Sequence, residues 1–179
     1  MNNSLKLLYD EHTIISRAAE LARAAKTLVG INNDEYELTI SELIRFFRVY
    51  ADQYHHYKEE TILFPELAKK SELLSEGIIS EMYANHSYFR ELIAEIESDL
   101  EHRQYAEASQ KIDAYTDALL DHIAAENEEL FQAAYSIFSE EELEKIYFRF
   151  VDLDRELGES RKKDLSDFLK LLAEEIPVV

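Results

Sequence analysis

The chain has 179 residues, 46% of them hydrophobic, which suits one substantial core; three Gly and two Pro are too few for the turns of a β-sandwich or a Rossmann fold. Against 38 acidic residues stand 19 basic ones, a formal net charge of -19 with no basic patch denser than Arg161-Lys162-Lys163, so a nucleic-acid partner is disfavoured. Cys is absent, which removes disulfides, thiolate metal sites, iron–sulfur clusters and cysteine nucleophiles.

An all-α chain is expected, read as a row of amphipathic helices. From Ser4, an N-cap candidate, to Val29, the residues Leu5, Leu8, His12, Ile15, Ala19 and Ala22 recur at helical spacing. Gly30-Ile31-Asn32-Asn33-Asp34 supplies turn formers, and a second helix is predicted over 35–70. Pro65 is expected to kink that helix or end its regular part, because its ring removes a donor and crowds the preceding turn. A third helix over 74–100 carries Ile79, Met82, His86, Phe89, Ile93 and Ile96 on one face, and a fourth over 105–135 carries Ile112, Tyr115, Leu119, His122, Glu126 and Leu130. Short links between long helices predict an up-down-up-down four-helix bundle, residues 1–135.

Residues 136–179 add one or two C-terminal helices. Ser139-Glu140-Glu141-Glu142 reads as a capping box opening a fifth helix that ends near Gly158. A last helix follows to about Glu175, and its face of Leu165, Phe168, Leu169 and Leu172 either covers the bundle or meets a second copy in a homodimer.

Four of the six histidines, His12, His55, His86 and His122, fall one on each of the first four stripes, and two carry a Glu one turn later. Side chains four apart share a helix face, so His55 with Glu59 and His122 with Glu126 can each aim two groups at one point. Helical phase decides between His55 and His56. The first shares its stripe with Ile44, Phe47, Ala51, Glu59 and Ile62, whereas the second shares its stripe with Arg45, Val49, Asp52, Glu60 and Leu63. The more apolar stripe selects His55 and Glu59 as inward and leaves His56 and Glu60 nearer the surface. His102, at the end of the third helix, is explained as a cap, and Glu60, Glu128 and Glu129 as a solvated face.

Two carboxylates on apolar stripes need a cation, since burying them unpaired costs several kcal/mol. Four imidazoles and two carboxylates are too many ligands for one tetrahedral ion and suit two metals: iron first, with manganese or zinc as alternatives. The Glu-x-x-His of ferritin-like di-iron sites, the His-Glu-x-x-His of zincins and Gly-rich phosphate loops are all missing.

The segments His55-His56-Tyr57-Lys58-Glu59-Glu60-Thr61-Ile62-Leu63-Phe64-Pro65 and His122-Ile123-Ala124-Ala125-Glu126-Asn127-Glu128-Glu129-Leu130-Phe131 resemble the two His-x-x-x-Glu segments of the hemerythrin-like, or HHE cation-binding, family. Asp10-Glu11-His12 is similar to its first-helix ligand and Asn85-His86 to its third, so the likeness runs over about residues 4 to 135. It implies His12, His55, His86 and His122 as terminal metal ligands, with Glu59 and Glu126 bridging two iron ions that are oxo- or hydroxo-bridged. Oxygen-carrying hemerythrins have a second His one turn after the first on the third helix, where this chain has Arg90. With four histidines, one metal keeps an open or water-filled position, or Glu91 leans in. The count is closer to that of the family's iron-cluster-repair proteins, whose cysteine-bearing segment these 179 residues lack.

The expected function is a cytoplasmic non-haem di-iron protein that binds or senses oxygen, nitric oxide or peroxide in an apolar pocket lined by Leu8, Ile15, Ala51, Ile62, Met82 and Leu119. Iron handling and catalytic consumption of peroxide or nitric oxide are the alternatives. Tyr9, Tyr54, Tyr83 and Tyr115 lie near the site and are expected to pack, with Tyr115 the best exception. No apolar run reaches the roughly 20 residues that a membrane span needs.

Overall fold

A computed structural model describes residues 3–175, and among these there is no strand. The first helix, α1, is Asn3–Ala24, extended by a 3-10 turn Ala25–Leu28. It already includes Asn3, so Ser4 sits inside the first turn rather than at the cap. Gly30, at φ 78°, takes the left-handed turn that leads to Asn32, whose side chain accepts from the Glu35 amide.

The second helix, α2, runs without a break over 33–70, but it is not a uniform α-helix: Phe47–His56 and Glu59–Leu63 are π-helical. Pro65 follows the second wide turn, and the helix continues beyond it to Lys70. Ser71 caps the next helix, α3, which covers 72–101 with a kink at Gly77. Helix α4 covers 105–137 and has its own π-helical turn, Glu126–Leu130. Ser139 and Glu142 form the reciprocal capping box that opens α5, Glu140–Leu157. Gly158, at φ 100°, ends it, and α6 is Glu159–Glu175.

Helices α1 to α4 form the closed up-down-up-down bundle: α1 packs on α2 and α4, and α3 packs on both α2 and α4. The C-terminal pair covers it, with α5 on α1 and α2, and α6 on α1, α2 and α5. Leu165, Leu169 and Leu172 of α6 are buried in the bundle's own core, so that face is covered within the chain. Among the described residues, no helix is long and apolar enough to cross a membrane.

The apolar core falls into two clusters. One holds Ile15, Ala51, Phe89 and Leu119; the other holds Leu8, Ile62, Met82 and Leu130. On each of the four bundle helices the polar inward residues fall between a member of one cluster and a member of the other. A single polar layer therefore crosses the bundle between two dry ones.

Candidate metal centre

The polar layer contains more than the predicted set. His12, His55, Glu59, His86, His122 and Glu126 are all buried, as expected, and so is His56, only 3% exposed. Reading His56 as a surface neighbour is thus corrected. The cause is local backbone geometry: in an α-helix consecutive side chains point about 100° apart, but the π-helical run Phe47–His56 takes in an extra residue per turn. That slower rotation lets His55 and His56 both face the interior.

Two groups of ligand-type atoms result, each drawn together within 4.8 Å: His12, His55, Glu59 and Glu126, and beside them His56, His86 and His122. The carboxylates reach both. Glu59 has one oxygen 3.5 Å from Nε2 of His55 and the other 3.7 Å from Nε2 of His86. Glu126 Oε2 lies 3.1 Å from Nε2 of His12 and 3.4 Å from Nε2 of His122. Nε2 atoms of His86 and His122 are 3.1 Å apart.

Each ring is held from behind through Nδ1. Asn127 accepts from His12 at 2.8 Å, Glu11 from His55 at 2.9 Å, and Glu60 from His86 at 2.9 Å. Asp52 lies 3.4 Å from Nδ1 of His56, and the Asn85 amide 3.5 Å from that of His122. For His12, His55, His56 and His86, whose partners are oxygen acceptors, a proton held on Nδ1 leaves Nε2 as the lone-pair nitrogen, whereas the Asn85 amide nitrogen donates to Nδ1 of His122. Glu60 is therefore not simply a solvated residue. Arg90 donates to both Asp52, at 2.9 Å, and Glu60, at 2.7 Å, which joins the supports of His56 and His86. Glu91 is exposed and does not lean in.

Both oxygens of Glu59, both of Glu126, and Nε2 of His12 and His55 are buried without a hydrogen-bond partner. Buried polar atoms left in this state are costly, and a cluster of them converging on one layer is what divalent cations satisfy. Electrostatics say the same. Burial, reinforced by Glu126, pushes the Glu59 carboxyl well above the usual range, and burial does so for Glu126. Burial also holds the imidazoles of His55, His56 and His122 well below the ordinary histidine value, and lowers those of His12 and His86. The histidines are neutral and ready to ligate, while the carboxylates lack the positive charge that would let them ionise. The residues fit a two-metal cluster of nitrogen and oxygen ligands.

The model of the hemerythrin HHE cation-binding domain matches residues 3–134. The chain belongs to this family. No curated protein and no solved structure matched the chain significantly. The matched HHE domain ends at residue 134, within the last turn of α4, so α5 and α6 lie outside it. The substitution of Arg90 for a third-helix histidine does not leave the layer one imidazole short, because His56 brings a fifth from α2.

The tyrosines mostly pack. Tyr9 donates to the Asn127 carbonyl at 2.7 Å, Tyr54 to the carbonyls of Leu157 and Gly158 at 2.8 Å, and Tyr83 to that of Glu60 at 3.1 Å. Tyr115 is wedged edge-on against Phe47 and Phe89, in the dry layer next to His122. His102 caps α3, as expected, bonding the Ser98 carbonyl at 2.7 Å.

His56 was hidden from periodicity because a 3.6-residue period is the wrong ruler for a π-helical run. Glu11, Asp52, Glu60 and Asn127 were missed as ring supports for another reason. Except for Asp52 and His56, each meets a ring on a different helix, and no spacing within one helix reports that.

Proposed function

We propose that the chain is a cytoplasmic, non-haem di-iron protein that binds or senses a small diatomic or peroxide ligand, with His12, His55, Glu59, His86, His122 and Glu126 as metal ligands, joined by His56. The observation that supports this most is the set of orphaned buried atoms on Glu59, Glu126, His12 and His55, which converge between two apolar clusters. Iron would supply a redox-active centre able to take up such a ligand.

The two ligand groups differ in a way that suits ligand binding. Three imidazoles serve one metal position, and His12 and His55 alone serve the other, with the two carboxylates between. The position with two imidazoles has more room for an exogenous ligand. Leu8 and Ile15 flank His12 there, both essentially without solvent exposure, so a small apolar molecule would meet a dry environment. The net charge of -19 favours neither nucleic acid nor anionic membrane as a partner.

Metal analysis of protein purified without added metal tests the reading, giving identity and stoichiometry together. Two iron ions per chain are expected, with a new charge-transfer absorption when the anaerobically loaded protein meets oxygen. Binding of a single metal, or no affinity for iron, overturns it. Reversible spectra would separate a binding protein from one that turns over peroxide or nitric oxide.

A further inference from the structure

Behind His55 lies a buried charged cluster that the metal reading does not use. Glu11 gives one carboxylate oxygen to Nδ1 of His55 and the other to the ammonium of Lys58, at 2.6 Å. That second oxygen also accepts from Lys162 of α6. Asp154 of α5 completes the group, 2.7 Å from Lys58 and accepting from Lys162 at 2.6 Å. Two carboxylates and two ammonium groups balance, which is the condition under which such charges tolerate burial. Lys58 is fully buried, and it is fixed three residues from His55 on the same helix. Lys162 is different. It belongs to a helix outside the matched family domain, packs near the rings of Tyr50 and Tyr54, and borders an open cleft of about 440 Å³ that also reaches Glu11.

A carboxylate that accepts the Nδ1 proton of a ligating histidine makes that imidazole a stronger donor. Cations sharing the carboxylate draw its charge away and weaken the effect. Building on the di-iron reading, we propose that Lys162 is a positioning residue for His55: through Glu11 its charge sets the donor strength of that imidazole, so the docking of α6 and the oxidation state of the centre are linked. With Lys162 in place, Glu11 is shared three ways and the reduced metal is favoured. When Lys162 is withdrawn, Glu11 turns more fully to His55 and a positive charge leaves the vicinity, and both changes favour the oxidised metal. His12 lacks this control, since its support is the neutral Asn127 amide. Linkage is reciprocal, so oxidation must loosen α6 by the same factor by which undocking favours oxidation.

The test compares iron-loaded wild type with Lys162→Met, with Lys162→Arg, and with the charge-balanced double variant Lys162→Met/Asp154→Asn. Loss of the lysine is expected to shift the oxidation equilibrium at least about tenfold toward the oxidised form, about 59 mV for a one-electron couple, and arginine is expected to restore it. The double variant keeps Glu11 and Lys58 as a balanced pair; with the charge lost at Lys162 offset by that lost at Asp154, it is expected to show a smaller shift in the same direction, which isolates the Glu11 contribution and covers the case in which the single variant folds poorly. In wild type alone, hydrogen exchange of the α6 amides is expected to be faster in the oxidised state. A folded variant holding two irons at the wild-type potential, or equal α6 exchange in the two states, overturns this proposal and leaves the di-iron reading standing. A wild-type protein that takes up no redox-active iron overturns both.

Discussion

His56 and His86 stack face to face across α2 and α3, their ring centroids 3.8 Å apart and their planes 16° from parallel. Each ring is held from behind by a carboxylate, Asp52 or Glu60, and Arg90 ties those two carboxylates together. One arginine thus orients two imidazoles from different helices.

Arg90 is itself 41% exposed, so its contribution to folding is small, and its main effect is expected at the proposed metal centre. For Arg90→Ala, metal affinity at the position served by His56 and His86 is expected to fall roughly 10- to 100-fold, the usual cost of losing a support behind a ligand. Isothermal titration, with melting curves of the metal-free protein as the control, checks this.

Replacing His56 with Ala is expected to separate the two proposed metal positions. The group of His12, His55, Glu59 and Glu126 remains whole, so the variant is expected to hold one metal tightly and to lose most of the second. His102→Ala, which removes only a helix cap, is expected to keep both. Metal stoichiometry after dialysis distinguishes them.

Glu59→Gln and Glu126→Gln are expected to act in opposite directions on the metal-free and metal-loaded protein. Burial raises both carboxyl groups far above their ordinary range, so near neutral pH the folded apoprotein must either keep a proton on them or bury a charge. A neutral amide removes that penalty, and the apoprotein melting temperature is expected to rise, by roughly 2–4 °C for each kcal/mol gained in a chain of this size. Stabilisation by added iron is expected to fall sharply in the same variants.

Acid should destabilise the apoprotein early. The five layer histidines have folded values depressed below 6.5 by burial, so the unfolded chain binds protons first as pH drops. Stability from these groups is present above pH 6.5 and is lost progressively below it. The raised carboxyls have the opposite sign: above the ordinary Glu value of 4.5 the unfolded chain releases protons that the folded one retains, so their contribution falls as pH rises. Denaturant melts of metal-free protein from pH 8 down to pH 5 are expected to show a falling midpoint below about pH 6.5 as the histidine effect takes hold.

Much of this architecture was legible in the residues. The capping box at Ser139, the stop at Gly158 and the four apolar stripes each rest on local chemistry that one helix carries alone, and the structure places them where that chemistry requires. His102 as a cap was legible for the same reason. What stayed hidden depended on departures from the ideal helix or on partners far along the chain. His56 and Lys58 turn inward on a helix whose winding changes at Phe47. Lys162 meets Glu11 from 151 residues away, and no pattern around Arg161-Lys162-Lys163 separates the partly buried Lys162 from its exposed neighbour Lys163.

The change of winding in α2 has a geometric consequence. His55 and His56 belong to different ligand groups, yet they are consecutive residues, and neighbouring Cα atoms across a trans peptide stand about 3.8 Å apart whatever the helices around them do. Helices can slide and tilt against one another, but this pair cannot be pulled apart. The distance between the two halves of the layer is therefore tied to a covalent link, and a shear of α2 carries both halves in the same direction.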